Sequence, residues 1–126
     1  MINLIPEVAA ALRGSTNLLT LLGGDRIYRH IVPADKQDVF PRVTFFELSN
    51  FDSRYAEDQA DASEIHFQVD VWSKAASTAE LGSAVDEAMK GAGFGRYSGA
   101  DLYEEDTKIY HKALRYRTVR GYEEES

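Results

Sequence analysis

The sequence predicts an α+β domain in which an antiparallel or mixed sheet of four to five strands carries helices on one face. Three observations support this prediction. Apolar residues recur at helical spacing in three segments, whereas they alternate with polar residues over residues 64–72. The predicted strands follow one another closely, which favours pairing between sequence neighbours. The order is helix, helix, strand, strand, strand, helix, strand, strand, and no linker or repeat divides residues 1–126, so we expect one domain.

Two short helices are predicted first. The first covers residues 4–13, with Pro6 in its first turn and Gly14 after its last, and its apolar residues form one face. The second begins after a candidate N-cap, Ser15, contains four leucines and ends at the glycine pair 23–24. Its leucine content predicts that it is largely buried.

The hydrophobic period then changes to that of strands. Residues 26–32 are predicted as a strand that ends at Pro33, and residues 34–41 as a loop between prolines. A second strand, 42–48, is rich in β-branched and aromatic residues. Residues 50–62 are polar and acidic, and we interpret them as a long exposed hairpin loop.

The clearest strand covers residues 64–72. Polar and apolar residues alternate throughout it, which is typical of a sheet covered on one side. Its predicted inward residues are Ile65, Phe67, Val69 and Val71.

A third helix is predicted over residues 77–90, with Ser77 or Thr78 as N-cap and Glu80 completing a capping box. Its apolar stripe should lie on the apolar face of the strand before it. Two strands follow, near 96–105 and 108–120, and then an acidic tail from Tyr122 to Ser126 that we expect to fray.

Composition excludes several classes of function. The 126 residues contain 44% hydrophobic and 28% charged residues and no cysteine, so a packed core is expected and disulfides and thiol catalysis are excluded. The net charge of −7 argues against free binding to nucleic acid and favours protein partners. No apolar run reaches the roughly 18 residues that span a bilayer, and the start lacks signal-peptide features. We therefore expect no membrane contact and a location in the cytoplasm where the protein is made.

No residue pattern requires catalysis, a metal or a cofactor. The three histidines are not at metal-ligand spacing, and a surface metal site at Glu64, His66 and Asp70 would need further converging ligands. The glycine-rich run at 91–95 follows a helix and lacks the residues of a phosphate-binding loop, and no nucleophile elbow occurs. We predict that the protein is not an enzyme. A small enzyme that uses carboxylates or His66 is the competing hypothesis.

Basic residues concentrate in the last strand. Five of the 14 basic residues lie within the 13 positions from Lys108 to Arg120, in a chain that is acidic overall. This pattern fits a nucleic-acid strip or an interface with an acidic surface of another copy, such as residues 52–61. We favour self-association because of the net charge and because Lys112 should face away from Arg115 and Arg117. The predicted interface residues are Asp52, Arg54, Tyr55, Glu57, Asp58, Arg115, Arg117 and Arg120.

Several stretches occur together in an order that resembles a known family, the tail-completion, tail-terminator or head–tail joining proteins of long-tailed phages and prophages. They include LLGGDRIY at 21–28, FPRVTF at 40–45, FQVDVWS at 67–73 and ALRYR at 113–117. A helix with Leu81 and Val85 lies between the last two. Together these stretches cover most of the chain.

The resemblance implies a structural virion protein at the tail–head junction. It implies a ring of copies, usually a hexamer, that caps the head-proximal end of the tail tube, ends its polymerisation and joins tail to head. The implied partners are other copies, the tail-tube protein and the head-connector protein, while DNA passes the lumen without specific binding.

One alternative fold and function stays open from the sequence, a small-ligand-binding or regulatory module of ferredoxin-like shape. That fold requires the order strand, helix, strand, strand, helix, strand, whereas this chain is predicted to begin with two helices.

Overall fold

A computed structural model describes residues 1–56 and 59–122 of the chain. It has the predicted α+β class and the predicted order of elements. The helices are α1 (Ile5–Arg13), α2 (Thr16–Leu22) and α3 (Ala79–Gly91). The strands are β1 (Ile27–Arg29), β2 (Arg42–Ala56), β3 (Gln59–Ser73), β4 (Gly95–Glu104) and β5 (Ile109–Gly121). A short 3-10 helix, Ala34–Lys36, lies in the predicted loop between β1 and β2.

The five strands form one mixed sheet in the order β1-β2-β3-β5-β4. β1 is parallel to β2, and the other three pairings are antiparallel. β3 is central and pairs along nearly its whole length with both β2 and β5. Because β4 connects to β5 by a tight turn and pairs only with it, β4 forms one edge of the sheet.

The core lies between the three helices and one face of the sheet, as predicted. The four apolar residues of β3 that alternate along the strand are all buried. They pack against leucines of α1 and α2 and against the stripe of α3, which includes Val85 and Met89. Phe67 and Phe94 meet edge to face with ring centroids 5.7 Å apart. Alternation of polar and apolar residues in β3 therefore identified the buried face of the sheet.

Local residue types explain where α1 begins and where α2 begins and ends. Ser15 accepts a hydrogen bond from the Leu18 amide through its hydroxyl at 3.1 Å, so it is the predicted N-cap of α2. Gly23 ends α2 with φ +82°, a left-handed conformation that a residue with a Cβ rarely adopts. Pro6 lies in the first turn of α1, where its missing N–H leaves no bond unmade.

The predicted capping box of α3 is wrong. Thr78 occupies the N-cap position, and its side chain makes no capping hydrogen bond. Ser77 lies one residue too early, and its hydroxyl reaches only the Ala79 amide, at 3.4 Å. Helix α3 is stabilised instead by its packing against the sheet.

Two strand predictions also need correction. Residues 50–62 are not a loop, because β2 runs on to Ala56 and β3 begins at Gln59, so most of this segment is a two-stranded arm. Conversely, the strand predicted at 26–32 shrinks to Ile27–Arg29. It pairs with only three residues of β2 and stops at His30, whose φ is +64°.

The remaining predictions concern the chain ends and the ferredoxin-like alternative. The last two strands lie within one residue of their predicted limits. The predicted acidic tail lies outside the described residues beyond Tyr122. Two helices precede the first strand and no α-helix separates β1 from β2, so the order differs from that of a ferredoxin-like fold. In the part of the chain that the structure describes, no helix is both long and apolar enough to cross a membrane.

Candidate interaction surfaces

The acidic half of the predicted interface lies on the arm formed by β2 and β3. Asp52 accepts a hydrogen bond from the Tyr122 hydroxyl, which ties the base of the arm to the end of β5. Arg54 has φ +51° and forms a long ion pair with Asp61, 3.9 Å between Nε and Oδ1, with both side chains more than half exposed. Tyr55 continues β2. Two further predicted residues, Glu57 and Asp58, lie outside the described residues.

The basic half of the predicted interface divides between two faces of the sheet. Arg115 and Arg117 lie on the face opposite the helices, where Arg115 Nε donates to Gln68 Oε1 at 3.1 Å and Arg117 Nη1 lies 3.8 Å from Glu64 Oε2. Arg120 lies on the helical side and donates to both carboxylate oxygens of Glu7 at 2.7 and 3.0 Å. Since Arg120 also donates to the Ala92 carbonyl, it joins β5 to α1 and to the end of α3.

Lys112 points to the helical side of the sheet, as the sequence predicts. Its side chain lies beside Gly82 of α3, away from Arg115 and Arg117. The basic residues of β5 therefore do not form one continuous strip for nucleic acid.

Glu64, His66 and Asp70, the competing catalytic or metal set, are not brought together as one site. His66 Nε2 lies 2.7 Å from Glu64 Oε2, and His66 Nδ1 lies 2.9 Å from the Tyr97 hydroxyl. Asp70 instead contacts His111, with 2.7 Å between Oδ1 and Nε2. Within the described residues, no group of three or more histidine, cysteine or acidic side chains is placed to hold a metal ion.

The outer face of the sheet is nevertheless well ordered around these residues. His111 stacks on Trp72 with ring centroids 3.7 Å apart, and Trp72 Nε1 donates to Thr44 Oγ1 at 3.0 Å. Asp70 is nearly buried and also accepts from Gln68. These polar groups satisfy one another across three strands, which is typical of a structural network rather than of a reactive site.

A second polar cluster, which sequence reasoning missed, joins α3 to the sheet. The hydroxyl of fully buried Tyr116 donates to Asp86 Oδ1 at 2.6 Å, and Arg96 Nε and Lys90 Nζ approach the same carboxylate at 2.9 and 3.3 Å. Burial, aided by its contact with Asp86, raises the pKa of Tyr116. Burial acts to raise the pKa of Asp86, but the bonds from Tyr116 and Lys90 and the charge of Arg96 outweigh it and lower that pKa.

A groove of about 340 Å³ adjoins this cluster between α3 and β4. Small residues line much of it, including Gly82, Ser83 and Gly99. Its charged lining residues are Asp86, Arg96, Asp101 and Lys112, of which Asp86 and Arg96 are bonded to each other. The groove therefore adjoins the Tyr116–Asp86 cluster and shares two of its charged residues.

The two edges of the sheet carry most of the exposed large apolar side chains. Apart from Met1 and Val119, these residues lie on or beside β2 or on β4, and they are 36% to 78% exposed. On the β2 side they are Ile31, Leu48 and Phe51, and on β4 they are Tyr97, Leu102 and Tyr103. A concentration of apolar surface at both edges is typical of contact with other polypeptides.

Comparisons with known proteins identify a family and a similar fold. A family model described as tail completion protein gp17 matches residues 6–120. The fold is similar to that of a chain in the virion of a native gene transfer agent particle, with a TM-score of 0.70 and 18% sequence identity over 90% of this chain and 91% of that chain. At this identity the likeness shows the fold alone. No curated protein sequence matches the chain.

Proposed function

The chain belongs to the tail completion protein gp17 family, and we propose that it caps the head-proximal end of a phage tail tube as an oligomeric ring. In this role it ends tail polymerisation and joins the tail to the head. The observation that carries the proposal is the family match over residues 6–120, which spans the fold from the first turn of α1 almost to the end of β5. The match identifies a structural role in the tail, and the ring and its position are our proposal.

The proposed role requires no catalysis. On the outer face His66 contacts Glu64 and His111 contacts Asp70, and beside α3 Tyr116 donates to Asp86. A residue that is held in this way stabilises the surface on which it lies. We propose that the protein acts by assembly and transforms no substrate.

The proposed partners are further copies of the chain, the tail-tube protein and the head-connector protein. We propose a hexameric ring that assembles in the host cytoplasm and remains at the tail–head junction of the virion. The net charge of −7 supports a lumen that repels DNA and lets it pass without specific binding.

The interface residues stay as predicted, with a division of roles that their positions suggest. We propose that the arm contacts a neighbouring copy through its exposed residues, and that Arg115 and Arg117 present positive charge on the outer face. Arg120 would contribute indirectly, because its bonds to Glu7 position the end of β5. The proposed set is Asp52, Arg54, Tyr55, Glu57, Asp58, Arg115, Arg117 and Arg120.

Electron microscopy of tail tubes tests the proposal. Tail-tube protein from the same phage or prophage is assembled with and without this chain and is viewed by negative stain. We expect rings at one end of each tube and a bounded tube length when the chain is present. Tubes that carry no ring and lengthen without limit beside the wild-type chain would refute the capping role.

Charge reversal on the outer face tests the interface residues in the same assay. The double variant Arg115→Glu, Arg117→Glu should reduce the fraction of capped tubes at least several-fold, because like charges would replace complementary ones. Lys36→Glu is the matched control, since Lys36 is an exposed basic residue outside both proposed surfaces. Equal capping by the double variant and the control would exclude these arginines from the interface.

A further inference from the structure

We propose that neighbouring copies of this chain join by strand addition, with the open edge of β4 in one copy pairing with the open edge of β2 in the next. The inference rests on the proposed ring and specifies its joint. It follows from which backbone edges are unpaired, where the apolar surface lies and how the strands are directed.

The edge at β4 is long and uncovered. All ten residues of Gly95–Glu104 are exposed, and the strand pairs only with β5. A bulge between Arg96 and Ser98 leaves residues 98–104 in regular register. The strand contains no proline and no lysine, the residues that commonly protect an edge from further pairing. One side of its backbone is therefore available to another strand.

The edge at β2 is open along its second half. β1 pairs only with residues 43–45 of β2, and the amide of His30 adds one bond to the Phe45 carbonyl. From residue 46 to residue 56, the backbone ladder of β2 is made with β3 alone in the described part of the chain. After the bulge at Leu48, residues 49–53 return to regular register. This run lies at the base of the arm and includes Asp52.

Apolar surface is available at both edges, which a strand-addition joint would bury. Leu48 and Phe51 are exposed on β2, and Leu102 and Tyr103 are exposed on β4. In such a joint, backbone hydrogen bonds align the two strands, and burial of the side chains beside the ladder contributes much of the stability. The two edges lie on opposite sides of one sheet, so each copy can use both at once.

Strand direction makes this joint antiparallel. β3 is antiparallel to β2 and to β5, so β5 runs in the same direction as β2. β4 is antiparallel to β5 and therefore runs opposite to β2. A rotation about an axis parallel to the strands leaves the strand directions unchanged from copy to copy. β4 of one copy is therefore antiparallel to β2 of the next copy. A contact between two different edges is head-to-tail. It closes into a ring when the rotation from one copy to the next brings a whole number of copies back to the first.

Two edge variants test the joint by sedimentation velocity of the purified chain. Leu48→Lys places a charge on the β2 edge, and Leu102→Lys places one on the β4 edge. Val119→Lys is the matched control, because Val119 is similarly exposed but lies on β5, outside the β2 and β4 edges proposed to pair. Circular dichroism verifies that each variant is folded, and Tyr103→Lys replaces Leu102→Lys if that variant unfolds.

The mixture of the two variants is the decisive sample. Each edge variant alone should sediment as a monomer, whereas the wild type and Val119→Lys should form the closed oligomer. In the mixture, the intact β4 of the Leu48→Lys chain can pair with the intact β2 of the Leu102→Lys chain. We therefore expect a one-to-one dimer that grows no further.

Several results would overturn the joint. They are a wild type that stays monomeric at millimolar concentration, an edge variant that keeps the wild-type oligomer, and a mixture that stays monomeric. Leu48→Lys dimers that form without the second variant would instead indicate that two β4 edges pair across a two-fold axis.

If Leu48→Lys still caps tail tubes, this joint fails while the proposed function stands. If the wild type caps no tubes, the proposed function fails.

Discussion

Replacing Tyr116 by Phe should destabilise the protein through the loss of one hydroxyl. The ring of Tyr116 is fully buried and would stay in place, but the 2.6 Å bond from its hydroxyl to Asp86 Oδ1 would be lost. A hydrogen bond to a charged group contributes about 1.5–3 kcal/mol to the free energy of unfolding. Since Arg96 and Lys90 still contact the carboxylate, we expect the lower part of this range, about 1.5–2 kcal/mol.

Thermal unfolding followed by circular dichroism measures this loss. An unfolding entropy of about 2.1 cal/mol/K per residue gives about 0.26 kcal/mol/K for the 126 residues, so Tm should fall by about 6–8 °C at pH 7. Tyr103→Phe is the control, because the Tyr103 side chain is about half exposed. Its Tm should stay within about 2 °C of the wild-type value.

The pH dependence of the Tm difference distinguishes loss of the Tyr116–Asp86 hydrogen bond from a change in packing. The pKa of Asp86 is lowered in the folded protein from an ordinary value of 3.8, so its ionised form stabilises the fold above that value. The stabilisation is lost as pH falls through the lowered pKa. The difference between wild type and Tyr116→Phe should therefore shrink below about pH 4. A Tm within 2 °C of wild type at pH 7, or a difference that is unchanged at low pH, would refute this account.

Three further substitutions have defined expectations for stability, measured by chemical denaturation. Phe67→Ala should lower the free energy of unfolding by about 3–5 kcal/mol, because Phe67 is fully buried at the centre of β3. Gly23→Ala should cost about 1–2 kcal/mol, because it forces a Cβ into the left-handed conformation that ends α2. Ser15→Ala should cost about 1 kcal/mol through loss of the N-cap bond to the Leu18 amide, and Ser15→Asp should restore most of it. A cost below about 0.3 kcal/mol in any of these variants would contradict the corresponding contact.

The parts of the fold that were predictable from sequence are those in which one residue pattern has one structural cause. Alternation in β3 reflects burial against a single layer, and the structure buries its four alternating apolar residues. The leucines of α2 indicate a buried face rather than a largely buried helix, because Leu18 and Leu22 are buried whereas Leu19 and Leu21 are only partly buried. Ser15 and Gly23 mark helix ends because a cap needs only local backbone geometry. These features depend on neighbours within a few residues, and the sequence displays such neighbours directly.

The arm from Asn50 to Ala62 was misassigned because its strands need no buried face. Its polar and acidic residues resemble a loop, yet the ladder continues from the body of the sheet, where Phe45 pairs with Val69. Once that register is set, each further pair adds backbone hydrogen bonds whatever the side chains are. Periodicity detects burial, and residues 50–54 and 59–61 of the arm are exposed or only partly buried, so their pattern has little burial to show.

The polar clusters were missed because they depend on register between distant segments. Asp70 meets His111 and Asp86 meets Tyr116 across 41 and 30 residues respectively. Both pairings join different elements, and sequence spacing does not predict which side chains will face each other there. The one available signal was that Tyr116 alternates with the outward arginines of β5 and therefore belongs to the buried face.

The same sheet also explains why assembly is a reasonable outcome for this chain. Proteins that remain monomeric commonly protect their edge strands with proline, lysine or a covering segment. Here β4 has none of these along its exposed length, and β2 is covered by β1 over three residues only.

The net charge of −7 provides long-range repulsion between isolated copies. Joining β4 to β2 must overcome that repulsion, and it would pair two edges and cover the apolar side chains beside them. Raising the salt concentration should therefore favour the oligomer, since it screens the repulsion and leaves the backbone ladder and the apolar contact intact.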